Sequence, residues 1–390
     1  MPRRERQRQN PLSEALDRVK QRLGQSPFAF ISQKIEEVVF ALQQDLQQGF
    51  VSQDAESKLS GSIDGMLDLL PQSFGEKFWF DVGMISTLVE EWSQGSTRLS
   101  GTIFPKPHED WGHTSISLPA YGDRATYVID LILIPGHNRL ADVDLLVYSF
   151  LNHELGHNAL FKYDTVFPQS FWPVLEQYTH RLRRQSLADR GAARSLARDT
   201  TERIHQPWSP TANHYNWAHE LAMDVIALWT IGPAYLATFQ DTLEDEALNP
   251  YQVGQSHPPY EVRANALIDA SHRLDWEGAA QGLRKQVTHW GRSPWRKERN
   301  NRYVAYASPD LVQGCVTSVI ATCETLSLPR CSTETLDGIQ KKLDQGECPD
   351  LGSEVLIAAW LQYQQMDKDS FDAWESSVVK ELTQAVIPAI

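Results

Sequence analysis

The sequence predicts an α+β fold that is mostly helical, and three observations carry that expectation. Apolar residues recur at a helical period over most of the chain. Between Thr97 and Pro135 the pattern switches to short β-branched runs bounded by Gly, Pro or Asp. Composition is that of a folded protein, with 41% hydrophobic and 22% charged residues over 390 positions, enough to bury a sizeable core.

Residues 1–10 read as a polar, basic tail, followed by amphipathic helices from Asn10 to about residue 93. In the stretch Phe30 to Phe50, Ile31, Ile35, Val38, Val39 and Leu42 fall on one stripe while Gln, Glu and Asp fill the other face. The strand-like runs start at Leu99, Thr114 and Ala125, and the last ends at Pro135-Gly136-His137-Asn138. They predict a small antiparallel sheet. Ala141 to Phe161 reads as a helix with Val143, Leu146, Val147, Phe150 and Leu151 on its buried face.

Seven arginines between Arg181 and Arg203 follow at helical spacing, the pattern of a solvated face, with a lid or partner-docking element as the alternative. Asn213 to Asp241 is again helical, Pro250 to Pro259 is a loop, and a helix then runs through His272. A second basic stretch, Arg284 to Arg302, is interleaved with Trp290 and Trp295, and amphipathic helices continue from Pro309. The expected domains are a helical region over 1–95, a catalytic domain over 96–275 and a helical region over 276–390.

A net charge of −14 argues against a general nucleic-acid binder, which needs a basic field. The N-terminus lacks an apolar signal core, and no apolar run approaches the ~20 residues that span a bilayer, so a cytoplasmic protein without a membrane span is expected. Cys315, Cys323, Cys331 and Cys348 are spaced too widely for C-x2-4-C pairs and read as ordinary thiols.

The chemistry concentrates at His153-Glu154-Leu155-Gly156-His157, an H-E-x-x-H motif inside an apolar-periodic helix. Residues four apart lie one turn above each other, so two imidazoles can address one ion, and Glu154 beside them is placed as general base. A third ligand is required. His205, His214, Glu220 and Asp224 are the candidates, and Glu220 is preferred because Asp224 follows one turn later, where it can accept the N–H of a ligating histidine. His219 reads as a bystander because Met223 stands where a second histidine would be needed, and His108, His113 and His137 read as surface or loop residues.

The order of His153-Glu154-x-x-His157, Glu220-x-x-x-Asp224 and His257-Pro258-x-x-x-x-Arg263 resembles the gluzincin metallopeptidases of the CAAX-prenyl-protease and HtpX-like group, over about residues 125–270. The resemblance implies a zincin-like core with the small sheet beside the His153 helix, and Zn2+ held by His153, His157 and Glu220. It also implies that His257 and Arg263 approach the scissile carbonyl. Members of that group are commonly membrane-embedded or exported, whereas this sequence shows neither a spanning run nor a signal core, so membrane-protein or prenylated substrates are not expected to carry over. The resulting expectation is a zinc metalloendopeptidase acting on a protein or peptide substrate, with a regulatory partner restraining it. The alternatives are a catalytically silent zinc-stabilised scaffold that binds partners and a zinc hydrolase acting on a non-peptide amide.

Overall fold

The computed structural model describes residues 76–93, 102–108, 111–118, 127–135, 140–163, 166–188, 190–210, 216–243, 249–253, 257–299 and 301–386, with Gln44 and Gln48. The helices expected between Asn10 and residue 75 lie outside those residues, apart from those two. The chain forms two compact units, one of Met1–Ile85, Ser100–Val143 and Val379–Ile390, the other of Ser86–Leu99 and Asp144–Val378. The protein is mostly helical, as its periodicity predicts.

Helix α1 (Glu76–Ser93) belongs to the expected N-terminal helical region and buries Phe80, Met84, Leu88 and Trp92 at helical spacing. The first unit holds β1 (Thr102–His108), β2 (Gly112–Leu118) and β3 (Tyr127–Pro135), in the order β1-β3-β2. β3, the most apolar of the three, takes the centre and buries Ile132 and Ile134. β2 runs antiparallel to it, from Gly112 opposite Leu133 to Leu118 opposite Tyr127. β1 runs parallel to β3, from Thr102 opposite Ile129 to His108 opposite Pro135. The sheet is therefore mixed, which corrects the antiparallel expectation. The chain between β1 and β3, which includes β2, is long enough for the excursion a parallel return needs, and the edge position suits Pro105 and Pro107, which have no N–H to give a ladder.

The second unit is helical. α2 (Phe150–Tyr163) starts nine residues later than Ala141, because Asp144 accepts a hydrogen bond from the Val147 N–H at 3.1 Å and Val147–Ser149 winds as a 3-10 turn. α3 (Val166–Ala188), α4 (Gly191–Arg203) and α5 (His205–Trp208) follow, with the seven arginines on exposed faces as expected. The segment expected as one helix to Asp241 is two, α6 (Trp217–Ile231) and α7 (Pro233–Asp241). Gly232 separates them at φ 56°, where a β-carbon would also meet Cys331 Sγ at 2.8 Å, and Pro233 starts the new helix.

Then come α8 (Tyr260–Arg273), α9 (Gln281–Trp290), α10 (Asn301–Tyr306), α11 (Pro309–Thr325), α12 (Thr333–Asp344), α13 (Ser353–Gln365) and α14 (Lys368–Val386). α6 is the hub: every one of its residues is buried, and α2, α7, α8, α11 and α13 pack around it. An apolar helix surrounded on all sides must keep its polar side chains satisfied, which directs attention to Glu220 and Asp224 on it. All four cysteines are free thiols. Among the described residues, no helix is long and apolar enough to cross a membrane.

Candidate metal centre

Two packed helices build the site. α2 lies against α6 through Gly156, where a β-carbon would fall 2.7 Å from Met223 Sδ and 3.6 Å from Met223 Cα. Glycine inside a helix costs about 0.5–1 kcal/mol, and here it permits the close approach that brings the face of His153 and His157 to Glu220. α6 begins at Asn216, whose side chain accepts from the His219 N–H at 3.2 Å, so Glu220 stands in the first turn. His219 points elsewhere: its Nε2 meets the Pro210 carbonyl at 3.0 Å, and burial pulls its pKa down to about 4, the behaviour of a neutral packing residue.

His153, His157 and Glu220 converge, with one ligand atom from each lying within 4.8 Å of the others. His153 Nε2 is 3.5 Å from Glu220 Oε2, and His157 Nε2 is 3.6 Å from Glu220 Oε1. A tetrahedral divalent ion with bonds of about 2.1 Å holds its ligand atoms roughly 3.4 Å apart, so these separations match a shared ion better than direct hydrogen bonds. Glu220 is 1% exposed, and its Oε1 accepts no hydrogen bond among the described residues. A buried carboxylate oxygen left so is costly unless a cation meets it, and the two-nitrogen, one-oxygen set suits a divalent metal ion. The fit is good. Of the four third-ligand candidates, the structure brings Glu220 to the histidine pair, while His205 lies half-buried against Trp172 and His214 lies outside the described residues.

Electrostatics agree. Burial alone would raise the Glu220 pKa, but the His153 contact and the charges of His157, His153 and His257 pull it down to about 2. Burial would lower that of His153, but Asp224 and Glu220 outweigh it and push it up to about 10. The pocket is built to hold positive charge. Glu154, also buried, contributes a negative charge felt at both His153 and Tyr235.

Behind the three sits Asp224, fully buried, meeting His153 Nδ1 at 3.0 Å as the sequence predicts for a residue that fixes the imidazole tautomer. Arg263 differs from its expected carbonyl-facing place. Its Nε donates to Asp224 Oδ2 at 2.8 Å and its Nη2 to Asp224 Oδ1 at 2.7 Å, while the guanidinium stacks 5.0 Å from the Phe239 ring. It neutralises Asp224 and holds its pKa, against burial, well below the usual carboxylate range. His257 does reach the cluster, with Nε2 3.6 Å from Glu220 Oε2 and a side chain 64% exposed.

One participant escapes sequence reasoning. Tyr235 on α7 donates its O–H to Asp224 Oδ1 at 2.6 Å, lies 3.3 Å from His153 Nδ1 and stacks on the His153 ring. Only the break at Gly232, which turns α7 back towards α2, places it there, and a lone tyrosine beyond a Gly-Pro pair announces no such role. His108 and His113 fall on β1 and β2 in the other unit, and His137 lies outside the described residues. Compared with known protein families, curated proteins and solved structures, the chain matches none.

Proposed function

We propose that this chain is a zinc-dependent metalloendopeptidase with a zincin-like core, in which α2 and α6 are the two ligand-bearing helices. The observation that carries the proposal is the buried His153, His157 and Glu220 set, spaced for a shared ion and leaving Glu220 Oε1 without a hydrogen bond among the described residues. His153, His157 and Glu220 would hold the zinc, whose chemistry when bound is that of a Lewis acid acting on a carbonyl and on water. Glu154, next to His153 on α2, accepts the proton of the attacking water and returns it to the leaving amine. His257, exposed at the rim, donates to the carbonyl oxygen as negative charge develops there.

Arg263 takes a different role from the one the family resemblance implies: it positions Asp224, which orients His153 so that its Nε2 lone pair faces the site. The substrate class is a protein or peptide, with a cytoplasmic setting as part of the same proposal.

Glu154→Gln tests the reading. Metal content of the purified variant, measured by mass spectrometry, should remain near that of the wild type, while peptide cleavage falls by about 100-fold or more. Cleavage is read as newly formed peptide termini in the proteome of cells expressing each protein. A scaffold or a hydrolase of non-peptide amides predicts no new termini from either form. A protein that purifies and reconstitutes without any divalent metal sinks the proposal.

A further inference from the structure

A cavity of about 560 Å³ opens on the far side of α8 from the metal centre, between α8, α9, α10 and α11. Its size falls in the range of small-molecule sites. Glu261, Val262, Asn265, Ile268 and Asp269 of α8 line it, at the spacing of one helical face. At 100° per residue, Arg263 projects from the opposite face, towards Asp224.

The floor is apolar, with Val262, Ile268 and Val312 contributing. The walls carry both signs of charge. Arg299 stands with its guanidinium 5.7 Å from the Tyr251 ring and 5.8 Å from the Tyr303 ring, a pair of contacts that fix its direction. Its nearest carboxylate, Glu261, is 3.8 Å away, beyond hydrogen-bond reach, and the guanidinium makes no hydrogen bond among the described residues. A guanidinium with N–H donors to spare thus lines the cavity, its side chain 41% exposed. Glu261 itself is buried and accepts the Tyr303 O–H. Elsewhere on the rim Arg284 is neutralised by Glu277 at 3.0 Å and Asp269 by Arg273 at 2.9 Å.

An oriented guanidinium beside a buried carboxylate, over an apolar floor, complements a ligand with the same three parts reversed. A simple anion would meet the repulsion of Glu261. An uncharged apolar molecule would leave the Arg299 donors unmatched and desolvated. We propose that this cavity binds a zwitterionic α-amino compound with a large apolar side chain, its carboxylate on Arg299, its ammonium on Glu261 and its side chain on the floor. The proposal stands apart from the peptidase reading and does not depend on it.

L-Phenylalanine is the probe, titrated into the full-length protein and followed by calorimetry or by NMR. It should bind saturably, and both L-phenylalaninamide, which lacks the carboxylate, and N-acetyl-L-phenylalanine, which lacks the ammonium, should bind at least about tenfold more weakly, the loss expected for one charge-assisted contact. Arg299→Gln should weaken phenylalanine by a similar factor. Binding that survives Arg299→Gln belongs to another site, such as the metal centre, and overturns the proposal. So does equal binding of either derivative, or no saturable binding at the solubility limit. The derivative series on the wild-type chain decides the matter if the variant fails to fold.

Discussion

Asp224→Asn is the change that interrogates the candidate metal centre most sharply, because it preserves shape and removes charge. Asp224 receives four contacts inside 3.0 Å: two from Arg263, one from Tyr235 and one from His153. Asparagine replaces one acceptor oxygen with an N–H2 group, so at least one donor must face another donor. The larger effect falls on Arg263. Its side chain is 12% exposed and it cannot shed its proton, so it is left as a buried cation without a counterion. Breaking one half of a buried ion pair in this way costs about 3–5 kcal/mol, a large share of a total of roughly 5–15. The same substitution frees the His153 tautomer, which should weaken metal binding by about 10- to 100-fold.

Denaturation followed by tryptophan fluorescence, with and without saturating metal, measures the first effect, and competition with a chromophoric chelator measures the second. A second substitution checks the cause. Arg263→Met in the Asp224→Asn background removes the stranded cation, so the pair should recover at least about 2 kcal/mol relative to the sum of the single changes. Strict additivity, or an Asp224→Asn protein as stable as the wild type, would refute the account of Asp224 as the counterion of a buried arginine.

Tyr235→Phe removes one hydrogen bond to a charged acceptor and leaves Arg263 paired, so metal affinity should fall about tenfold with a stability loss of only about 1.5–3 kcal/mol, read by the same two assays. Gly156→Ala should be tolerated, since its methyl group meets the movable end of Met223, whereas Gly156→Val carries branched carbons towards the Met223 backbone; chelator competition should show metal binding lost in the second variant and kept in the first. Glu375, near Asp144 and Asp372 and bonded to the Leu145 N–H, has its pKa raised, chiefly by burial, from 4.5 to about 7. The folded state therefore holds this proton more tightly than the unfolded chain, and the stabilisation it brings is complete below pH 4.5 and lost as pH rises through 7. Discounted for partial exposure, the loss is about 1–2 kcal/mol, so Glu375→Gln should flatten the pH-stability curve between 4.5 and 7 and leave the variant more stable than wild type at pH 8.

The parts of this molecule that were legible in its sequence are those that local geometry determines. Helical periodicity marks α2, α6 and α8, and short β-branched runs bounded by Gly, Pro or Asp mark β1, β2 and β3 within a few residues. The spacing of His153 and His157 follows from 3.6 residues per turn, and Glu220 and Asp224 follow from the same rule on a second helix. Failures begin where a position depends on what lies across space. Nothing in β1 says that it will lie parallel to β3, because pairing direction is set by the path of the chain through β2. The late start of α2 turns on a single Asp144 hydrogen bond that outcompetes a run of apolar residues with helical spacing.

The same division explains why the resemblance turns Arg263 towards a substrate carbonyl and why no sequence pattern announces Tyr235. Metal ligands must present particular atoms at particular spacings, so they leave a pattern. The residues that hold such ligands need only a donor of suitable reach, and around the proposed ligands of this chain they arrive singly, from α7 and α8. An arginine near a proposed zinc site is attractive as a stabiliser of developing negative charge, yet here a carboxylate on the hub helix had first claim on it. Asp224 on fully buried α6 would keep only His153 and Tyr235 as partners without Arg263, and so would lack a permanent counterion in an apolar surrounding. The requirement to neutralise Asp224 therefore commits Arg263 to the hub helix, and leaves His257, exposed and 3.6 Å from Glu220, as the side chain that the proposed reaction can use at the rim.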